Sequence, residues 1–356
     1  MKKMLFFILM LFVLVGLTAC ADADSNNDEA SADGPPDNVT EWVFQPAFDS
    51  GDAGWDNGIV PWIDAVEEAT EGSVEIELLS AGSIVSGEEA FGATADGSID
   101  VYAGWATVYG GQMPEGYLSY GLAMGAEDHE EAWEALWGDP DYQIGEIVEE
   151  AANQQNLHWA GWSSQGPNSF FTKFPVESMD DLAGHKLRAG GPQADFLETM
   201  GGTPVSFEGD EIYTAIDLGT IEGTMWDTGG VESMKFNEVI DYAMLPGWNP
   251  SQAQDIFINL DAWDELNDWQ QEQIEGIFED TYFETSEMHM EGVDDSLEAI
   301  EDSGGEVIEL DEDEIEKMRE KSVEEIWPKV AEKSELTKEG VDKYKQFLID
   351  KGKLEE

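Results

Sequence analysis

Residues 178–227 read SMDDLAGHKLRAGGPQADFLETMGGTPVSFEGDEIYTAIDLGTIEGTMWD, and they alternate short apolar runs with amphipathic ones. Ser178 and Asp181 have the spacing of a capping box, which predicts a helical turn at the start of this stretch. The pattern then predicts strands at His185–Ala189, Thr203–Phe207 and Ile221–Trp226 and helices at Pro192–Met200 and Asp210–Leu218. Strands and helices in such alternation predict an α/β fold with mostly parallel sheets.

The same alternation continues on both sides of this stretch. Towards the N-terminus it predicts strands at Val39–Phe44, Val74–Leu78, Ile99–Trp105 and Leu157–Ser163 and helices at Asn57–Gly72, Glu88–Asp96, Glu130–Trp137 and Tyr142–Gln155. Towards the C-terminus it predicts strands at Val239–Leu245, Asp255–Asn259 and Glu306–Leu310 and helices at Asp261–Ser303, Glu312–Lys333 and Lys338–Lys351. A chain of 356 residues exceeds one ordinary core, so we expect two lobes, braced by the long helix Asp261–Ser303.

Acidic side chains dominate the composition: 79 Asp and Glu stand against 16 Lys and Arg, a formal net charge of −63. Self-repulsion on this scale is unfavourable in dilute buffer, and it is relieved when the Debye length falls to about 3 Å in 1 M salt. We therefore expect the protein to work in brine or outside an alkaliphile. Nucleic acid is not expected as a partner, because binding it requires a basic surface.

The N-terminus has the pattern of an export signal, with Lys2 and Lys3 before the apolar run Met4–Leu17. The run ends at Leu17-Thr18-Ala19-Cys20, which resembles a bacterial lipobox. Cys20 is the only cysteine, so no disulfide explains it. We expect residues 1–19 to be a signal peptide and residues 20–38 a flexible tether, lipid-anchored at Cys20 to the outer face of the membrane. The alternative is a plain signal peptide with an incidental cysteine.

Cations are absent from residues 4–172 and from residues 236–316, and Arg188 and Arg319 are the only arginines. An arginine kept in such surroundings needs a reason. Its planar fork can bind a carboxylate through two parallel hydrogen bonds. We expect Arg188 to bind an anionic ligand. The alternative, which the residues alone support equally, is an ion pair with a nearby acid.

Motifs of common enzyme classes are absent: the sequence has no G-x-S-x-G, no Walker loop and no G-x-G-x-x-G. His129-Glu130-Glu131 lacks the second histidine of a zinc protease motif. We therefore expect a binding protein that is not an enzyme and has no cofactor. An exported hydrolase that uses a pair of carboxylates remains the alternative from another class, since carboxylates occur everywhere in this chain.

Three segments of the opening stretch resemble DctP-type solute-binding proteins of TRAP transporters. They are Asp181–Arg188 (D-L-x-G-x-K-x-R), Gly201–Val205 (G-G-x-P-V) and Glu211–Gly223 (E-x-Y-x-A-I-x-x-G-x-I-x-G). The resemblance extends from Gly97–Asp100 to Trp263–Leu266. It implies two α/β lobes that close on a ligand, with residues 39–161 plus about 249–285 in the first lobe and residues 162–248 plus about 286–352 in the second.

The resemblance also implies a site and a partner. Arg188 stands where the family's arginine pairs with a ligand carboxylate, and a TRAP membrane permease would receive the ligand. Asn168, Met225 and Trp226 stand at other pocket positions. Met225 replaces the acidic metal ligand of the branch that binds 2-oxo acids, so no metal is expected, although Asp227 could substitute. The lack of a second arginine near Asn168 favours a small organic acid with one carboxylate.

Aromatic residues of the first lobe are expected to form the opposite wall of the pocket. Trp105 and Tyr109 follow the Gly97–Asp100 segment, where family members place aromatic side chains, and Trp248 and Phe48 are weaker candidates. The alternative for Trp105 and Tyr109 is an ordinary place in the core. A sensor that presents its closed form to a receptor kinase is the remaining alternative to delivery.

Overall fold

A mixed sheet of nine strands runs through residues 34–355, the part of the chain that the structure, a computed structural model, describes. The strands are β1 (Thr40–Phe44), β2 (Val74–Leu78), β3 (Val101–Gly104), β4 (Leu157–Thr172), β5 (Lys186–Arg188), β6 (Thr203–Val205), β7 (Gly223–Asp227), β8 (Tyr242–Asn259) and β9 (Glu306–Glu309). Their order is β2-β1-β3-β8-β4-β7-β5-β6, and β9 pairs with β8.

Fourteen α-helices surround the sheet in the described part of the chain. They are α1 (Val60–Ala69), α2 (Gly87–Ala95), α3 (Ala106–Tyr109), α4 (Gly116–Tyr120), α5 (His129–Trp133), α6 (Ile144–Gln154), α7 (Pro192–Thr199), α8 (Gly209–Asp217), α9 (Leu260–Asp264), α10 (Asp268–Gly276), α11 (Phe278–Asp302), α12 (Glu312–Glu325), α13 (Trp327–Ala331) and α14 (Glu335–Asp350). Short π-helical turns occupy Trp55–Ile59 and Glu134–Gly138, and 3₁₀ turns occupy Met179–Leu182, Thr228–Gly230 and Phe236–Glu238.

Parallel pairing lies towards the two ends of the sheet and antiparallel pairing lies in its middle. β1 pairs in parallel with β2 and β3, β5 with β6 and β7, and β9 with β8. The central pairs β3–β8, β8–β4 and β4–β7 are antiparallel. The α/β class predicted from the sequence is confirmed, and so is the two-lobed architecture, because each parallel end carries its own helices while β4 and β8 run through both.

The two central strands are longer than the sequence predicted. β4 continues nine residues beyond Ser163, and β8 joins the two predicted strands Val239–Leu245 and Asp255–Asn259 into one strand of 18 residues. Proline and glycine at Pro246-Gly247 favoured a break there. The structure accommodates them with register shifts between β4 and β8 on both sides of Asn168. These irregularities bend the strands where they pass from one lobe to the other.

The predicted helix Asp261–Ser303 was wrong as a single element, because the structure divides it into α9, α10 and α11. Asn267 caps α10 with a capping box, and α11 alone has 25 residues. α11 connects the two lobes, as the sequence predicted for the longer helix. The Asn57 side chain donates to the Met288 carbonyl at 3.4 Å in the first lobe, and Ser296 donates to the Gly229 carbonyl at 3.1 Å in the second.

The last helix packs on the first lobe, whereas the sequence placed residues up to about 352 in the second. α14 lies against α4 and α6, and the Tyr142 hydroxyl donates to Asp350 at 2.6 Å. Just before it, the Trp327 indole donates to the Ala123 carbonyl at 2.8 Å. The Glu and Lys pattern of this helix describes its solvated face, and it says nothing about the surface on which the apolar face packs.

Three apolar clusters divide the interior between the faces of the sheet. On one face a large continuous cluster contains residues of both lobes, such as Leu118 and Phe196. On the other face two smaller clusters lie at opposite ends, one around Trp62 and one around Ile216. The interlobe region on this second face therefore has no core of its own. Among the described helices, none has the length and apolar content that a membrane span requires. Cys20 and the predicted signal peptide lie outside the described residues.

Candidate ligand-binding site

Arg188 is the last residue of β5, and its side chain is half-buried at the boundary between the lobes. Its Nε donates to the Phe207 carbonyl at 3.3 Å, and its Nη1 donates to Gln193 Oε1 at 3.2 Å. Its guanidinium carbon lies 4.9 Å from the centroid of the Trp226 ring. None of the ion pairs formed by residues 34–355 includes Arg188. The alternative of a structural ion pair is therefore not what the structure shows.

The Arg188 guanidinium stays charged although it is largely removed from water. Burial lowers the pKa of Arg188, and the nearby Tyr120 and Glu208 side chains partly oppose that effect. An arginine remains protonated under such a shift because its ordinary pKa is above 12. A desolvated cation held only by neutral oxygen atoms has unused capacity to bind an anion.

A chain of neutral amides fixes the position of the guanidinium. Gln193, whose Oε1 accepts from Arg188, donates through Nε2 to Asn168 Oδ1 at 3.1 Å. Asn168 in turn donates through Nδ2 to Gln252 Oε1 at 3.0 Å. Residues of β4, β5, α7 and β8 are thereby linked by side chains that carry no charge. The arrangement orients Arg188 without neutralising it.

Two buried aromatic side chains complete this network. The Trp248 indole donates to Asn168 Oδ1 at 2.8 Å, and the Tyr120 hydroxyl donates to Gln252 Oε1 at 3.2 Å. Asn168 and Trp248 are both almost fully buried. Both were predicted as ligand contacts, and in the structure their polar atoms are engaged with protein groups. They position the residues that face the interlobe region.

Asp227, the last residue of β7, brings a carboxylate to the same network. Burial and the neighbouring Asp52 carboxylate raise the pKa of Asp227 to about 8, and hydrogen bonding from Gln252 and from the N–H groups of Gly229 and Gly230 offsets part of the rise. Its Oδ1 atom is buried and has no hydrogen-bond partner among the described residues. The site therefore contains an acceptor atom that the protein itself leaves unsatisfied.

Asp52 contributes a second carboxylate from the first lobe. It precedes the π-helical turn Trp55–Ile59, and its Oδ1 accepts from the Gly54 N–H at 2.8 Å. Burial raises the pKa of Asp52 to about 6, and the charge of Asp56 adds to the shift. Asp52 lies close enough to Asp227 to raise its pKa, so the two lobes bring together two carboxyl groups that repel each other when ionised.

Phe48 and Trp105 form an aromatic pair on the first lobe. Their ring centroids are 4.3 Å apart, and both side chains are half-buried. The Trp105 indole donates to Gln165 Oε1 at 2.6 Å, which ties the pair to β4. Trp226 is likewise half-buried, beside Arg188. These three aromatic side chains retain the partial exposure that a pocket wall requires.

Two predicted pocket residues lie in the core. Tyr109 is fully buried, stacks on Phe91 at 4.8 Å, and donates its hydroxyl to Asp255. The unpredicted helical turn α3 directs it inwards. Met225 is also fully buried, because side chains alternate along β7 and its position faces the apolar cluster with Phe170. The ligand contacts predicted for Tyr109 and Met225 stay predictions, and the structure packs both side chains within the apolar core.

The donors near Asp227 do not fit a hard metal ion. Calcium takes six to eight oxygen ligands, usually with several carboxylates. Within residues 34–355, no group of three or more His, Cys, Asp or Glu side chains is gathered as metal ligands would be. Met225 offers only a buried thioether. Asp227 and Asp52 alone supply too few ligands.

Sequence reasoning missed Gln193, Gln252, Tyr120 and Asp52. Gln193 follows Pro192 at the start of α7, and a polar residue there, directly after the arginine strand, was an available signal. Gln252 lies in the part of β8 that the sequence did not predict as a strand. Nothing in the local pattern distinguishes Asp52 from the other acids of this chain.

The family model "Bacterial extracellular solute-binding protein, family 7" (DctP) matches residues 52–334, more than three quarters of the sequence. The chain belongs to this family. The match begins at Asp52 and includes the whole network around Arg188. The resemblance that the K-x-R motif indicated is therefore confirmed.

Individual relatives of this family 7 solute-binding protein are distant. The "Monocarboxylate 2-oxoacid-binding periplasmic protein" of Nostoc sp. is 26% identical over 204 residues, 56% of this chain and 55% of that protein. The chain thus spans about half the length of the curated relative it matches. A TRAP periplasmic solute-binding protein of Rhodobacter sphaeroides, in an apo open structure, has a TM-score of 0.74 at 25% identity and covers 89% of this chain and 100% of its own.

A second solved structure supports the fold alone. It is a TRAP transporter solute-binding protein from Bordetella bronchiseptica with copurified calcium and picolinate in its active site. Its TM-score is 0.76 at 20% identity, and the match covers 88% of this chain and 93% of that one. The two-lobed architecture described above is thus shared over nearly the whole described chain.

Proposed function

We propose that this protein captures a small organic acid with one carboxylate outside the cytoplasmic membrane and delivers it to a TRAP membrane permease. The observation that carries the proposal is the state of Arg188. It is half-buried and charged, it has no carboxylate partner among the described residues, and it is held by neutral groups. A ligand carboxylate would supply the missing partner through two parallel hydrogen bonds.

Short-range contacts supply the affinity. The net charge of −63 repels an approaching anion, and salt screens that field within a few ångströms. Long-range steering therefore does not help this ligand. The guanidinium is already desolvated and oriented, so binding requires little further reorganisation of the protein.

A single carboxylate fits a single cation. Arg319, the other arginine, lies on α12 and is paired with Glu127. It is not part of the Arg188 network. A dicarboxylate would leave its second charge facing Asp227 and Asp52. The names of two relatives agree with this inference, since the Nostoc protein is named for monocarboxylate 2-oxoacids and the Bordetella structure contains picolinate.

Closure of the lobes follows from contacts that a ligand makes with both. Arg188 and Trp226 lie on the second lobe, whereas Phe48 and Trp105 lie on the first. A ligand that touches both walls stabilises the closed state by the contacts that only this state provides. The aromatic pair favours an acid with an apolar or ring-bearing body.

The membrane anchor is part of the proposal. Leu17-Thr18-Ala19-Cys20 lies outside the described residues, and lipidation of Cys20 would keep the receptor beside its permease. Mass spectrometry of the protein purified from membranes tests this point. A mature chain that begins at Cys20 with added lipid mass supports it, and a chain that begins elsewhere without lipid contradicts it.

A thermal-shift screen of mono- and dicarboxylates in molar salt tests the binding function. A ligand at about 100 times its Kd adds about 2.7 kcal/mol to the free energy of unfolding. We expect monocarboxylates among the strongest stabilisers, followed by stoichiometric binding in calorimetry. Turnover of a stabilising compound by the purified protein would support the hydrolase instead, and the absence of any stabilising acid would contradict the proposal.

A further inference from the structure

The Arg188 network ends at an acceptor, and that acceptor has an unused atom. Asp227 Oδ1 is buried and lacks a hydrogen-bond partner among the described residues. Buried polar atoms are nearly always paired, and exceptions in binding sites point to a missing ligand. Arg188 at the other end of the network lacks an anion. The two ends therefore require groups of opposite charge.

We propose that the natural ligand is a zwitterion, an organic acid that also carries a cationic nitrogen, with its carboxylate on Arg188 and its cation on Asp227. This inference rests on the proposed function, because it names the class of acid that the same site binds. A plain monocarboxylate would satisfy Arg188 alone. A zwitterion satisfies both ends of the network.

The balance of charge favours the zwitterion over a plain anion. Asp52 lies close enough to Asp227 to raise its pKa, and Glu208 lies close enough to Arg188 to act on its charge. A monoanion would add a further negative charge to this group. A zwitterion adds none, and its cationic end reduces the repulsion between the two carboxylates that lobe closure brings together.

The two ends lie within one site. Arg188, Gln193, Asn168 and Gln252 follow one another through hydrogen bonds of 3.0 to 3.2 Å. Gln252 lies close enough to Asp227 to lower its pKa. The Tyr120 side chain, which donates to Gln252, lies close enough to Arg188 and to Asp227 for both charges to act on it. A small molecule bound beside Tyr120 would therefore lie near both groups.

A nitrogen cation fits Asp227 better than a metal ion does. The two carboxylates are fewer than a hard dication requires, and no third His, Cys, Asp or Glu joins them among the described residues. An ammonium group needs only a few acceptors, and the free Oδ1 of Asp227 is one. Asp227 pairs with the cation in its ionised form, which a cation beside it favours over the protonated form that burial favours.

Isosteric pairs of probes test the inference by calorimetry in molar salt. In each pair a methyl or tert-butyl group replaces the cation: alanine with 2-methylpropanoate, 3-aminopropanoate with butanoate, 4-aminobutanoate with pentanoate, and trimethylglycine with 3,3-dimethylbutanoate. We expect the tightest-binding pair to favour its zwitterion by about tenfold or more, equivalent to about 1.4 kcal/mol. Equal binding within every pair, or preference for the plain acid, would overturn the inference.

Variants separate this inference from the function on which it rests. Asp227→Asn should reduce the preference for the zwitterion to about twofold or less and leave the plain acid bound at least as well. Arg188→Gln should weaken both members of a pair. Asp217→Asn, on the exposed face of α8, is the matched control and should change neither. If Asp227→Asn leaves the preference intact, Asp227 is not the cation partner and the inference is wrong.

A metal control completes the experiment. Affinities are measured with a chelator and again with added calcium, and the zwitterion preference should be the same in both. Binding that requires calcium would assign the positive charge at Asp227 to an ion and overturn the inference, while the acid-binding function would stand. Failure of every probe pair and of every acid in the thermal-shift screen would instead contradict the function itself.

Discussion

The only two arginines of this acidic chain stand in opposite electrostatic settings. Arg319 on α12 is almost fully buried and pairs with Glu127 at 2.6 Å. Arg188 is half-buried and contacts the Phe207 carbonyl, Gln193 and the Trp226 ring, none of which carries a charge. The charge of the first arginine is paired with a carboxylate within the fold. The second is oriented but left without an anion, which is what a receptor for anions requires.

The comparison teaches that rarity alone does not identify a binding residue. Both arginines are rare residues in an acidic chain, yet Arg319 stabilises the contact between α12 and the segment before α5. The partner decides the role. A guanidinium whose partners are all neutral has binding capacity left for a ligand, whereas one that faces a carboxylate has already used it.

The largest expected effect is on ligand affinity at Arg188. Arg188→Gln should weaken binding of the best acid by at least about 100-fold, and Arg188→Lys by about 10- to 100-fold, because lysine keeps the charge but cannot form the planar double contact. The same Lys substitution at Arg319 is the matched control and should change affinity by about twofold or less. Calorimetry in molar salt measures all three. Equal losses at both arginines would remove the distinction between them.

The next effect concerns stability at the other arginine. Glu127→Gln should lower the free energy of unfolding by about 1–3 kcal/mol, because it leaves a buried guanidinium without its carboxylate. Arg319→Met should cost less, since the Glu127 side chain is 47% exposed and keeps Lys353 at 2.8 Å. Denaturant unfolding measures both. If Arg319→Met lowers the free energy of unfolding more than Glu127→Gln does, the loss does not come from leaving a buried guanidinium unpaired.

The two sites should also respond to pH in opposite directions. The pKa of Asp227 is raised to about 8, so its contribution to stability is greatest at low pH and is lost as pH rises through 8. Burial raises the pKa of Glu127, but Lys353 and Arg319 outweigh it and lower the net value. The stability that Glu127 contributes is therefore present above its unfolded pKa of about 4.5 and is lost as pH falls further.

Thermal unfolding across pH separates these contributions. Asp227→Asn should gain stability over the wild type by about 1 kcal/mol or more as pH rises from about 5 to 9, since burial and the charge of Asp52 both disfavour the ionised carboxylate. The cost of Glu127→Gln should instead disappear in acid. If the difference in stability between Asp227→Asn and the wild type does not change with pH, Asp227 is solvated in the folded protein.

Much of this site was predictable from local pattern, and the rest depends on how distant segments meet. The K-x-R motif placed Arg188, and the residues after the early strands placed Trp105 and Phe48 in half-buried positions. Gln252 and Trp248 lie on β8, whose bulges carry the strand past prolines that the sequence pattern treats as breaks. The core positions of Tyr109 and Met225 were not predictable, because one helical turn, or one step along a strand, reverses the direction of a side chain.

The smallest expected effect concerns the Trp226 ring that lies beside Arg188. Trp226→Leu should weaken binding of the acid by about two- to fivefold, because a cation–π contact at a partly exposed site contributes about 0.5–1 kcal/mol to holding Arg188 flat. Trp226→Phe should lie between leucine and the wild type. Lys333 lies 5.0 Å from the Tyr117 ring, so Tyr117→Leu removes a similar contact outside the network and should leave affinity unchanged. If both leucine variants weaken binding equally, the ring beside Arg188 contributes only general packing, and the neutral hydrogen bonds alone orient the guanidinium.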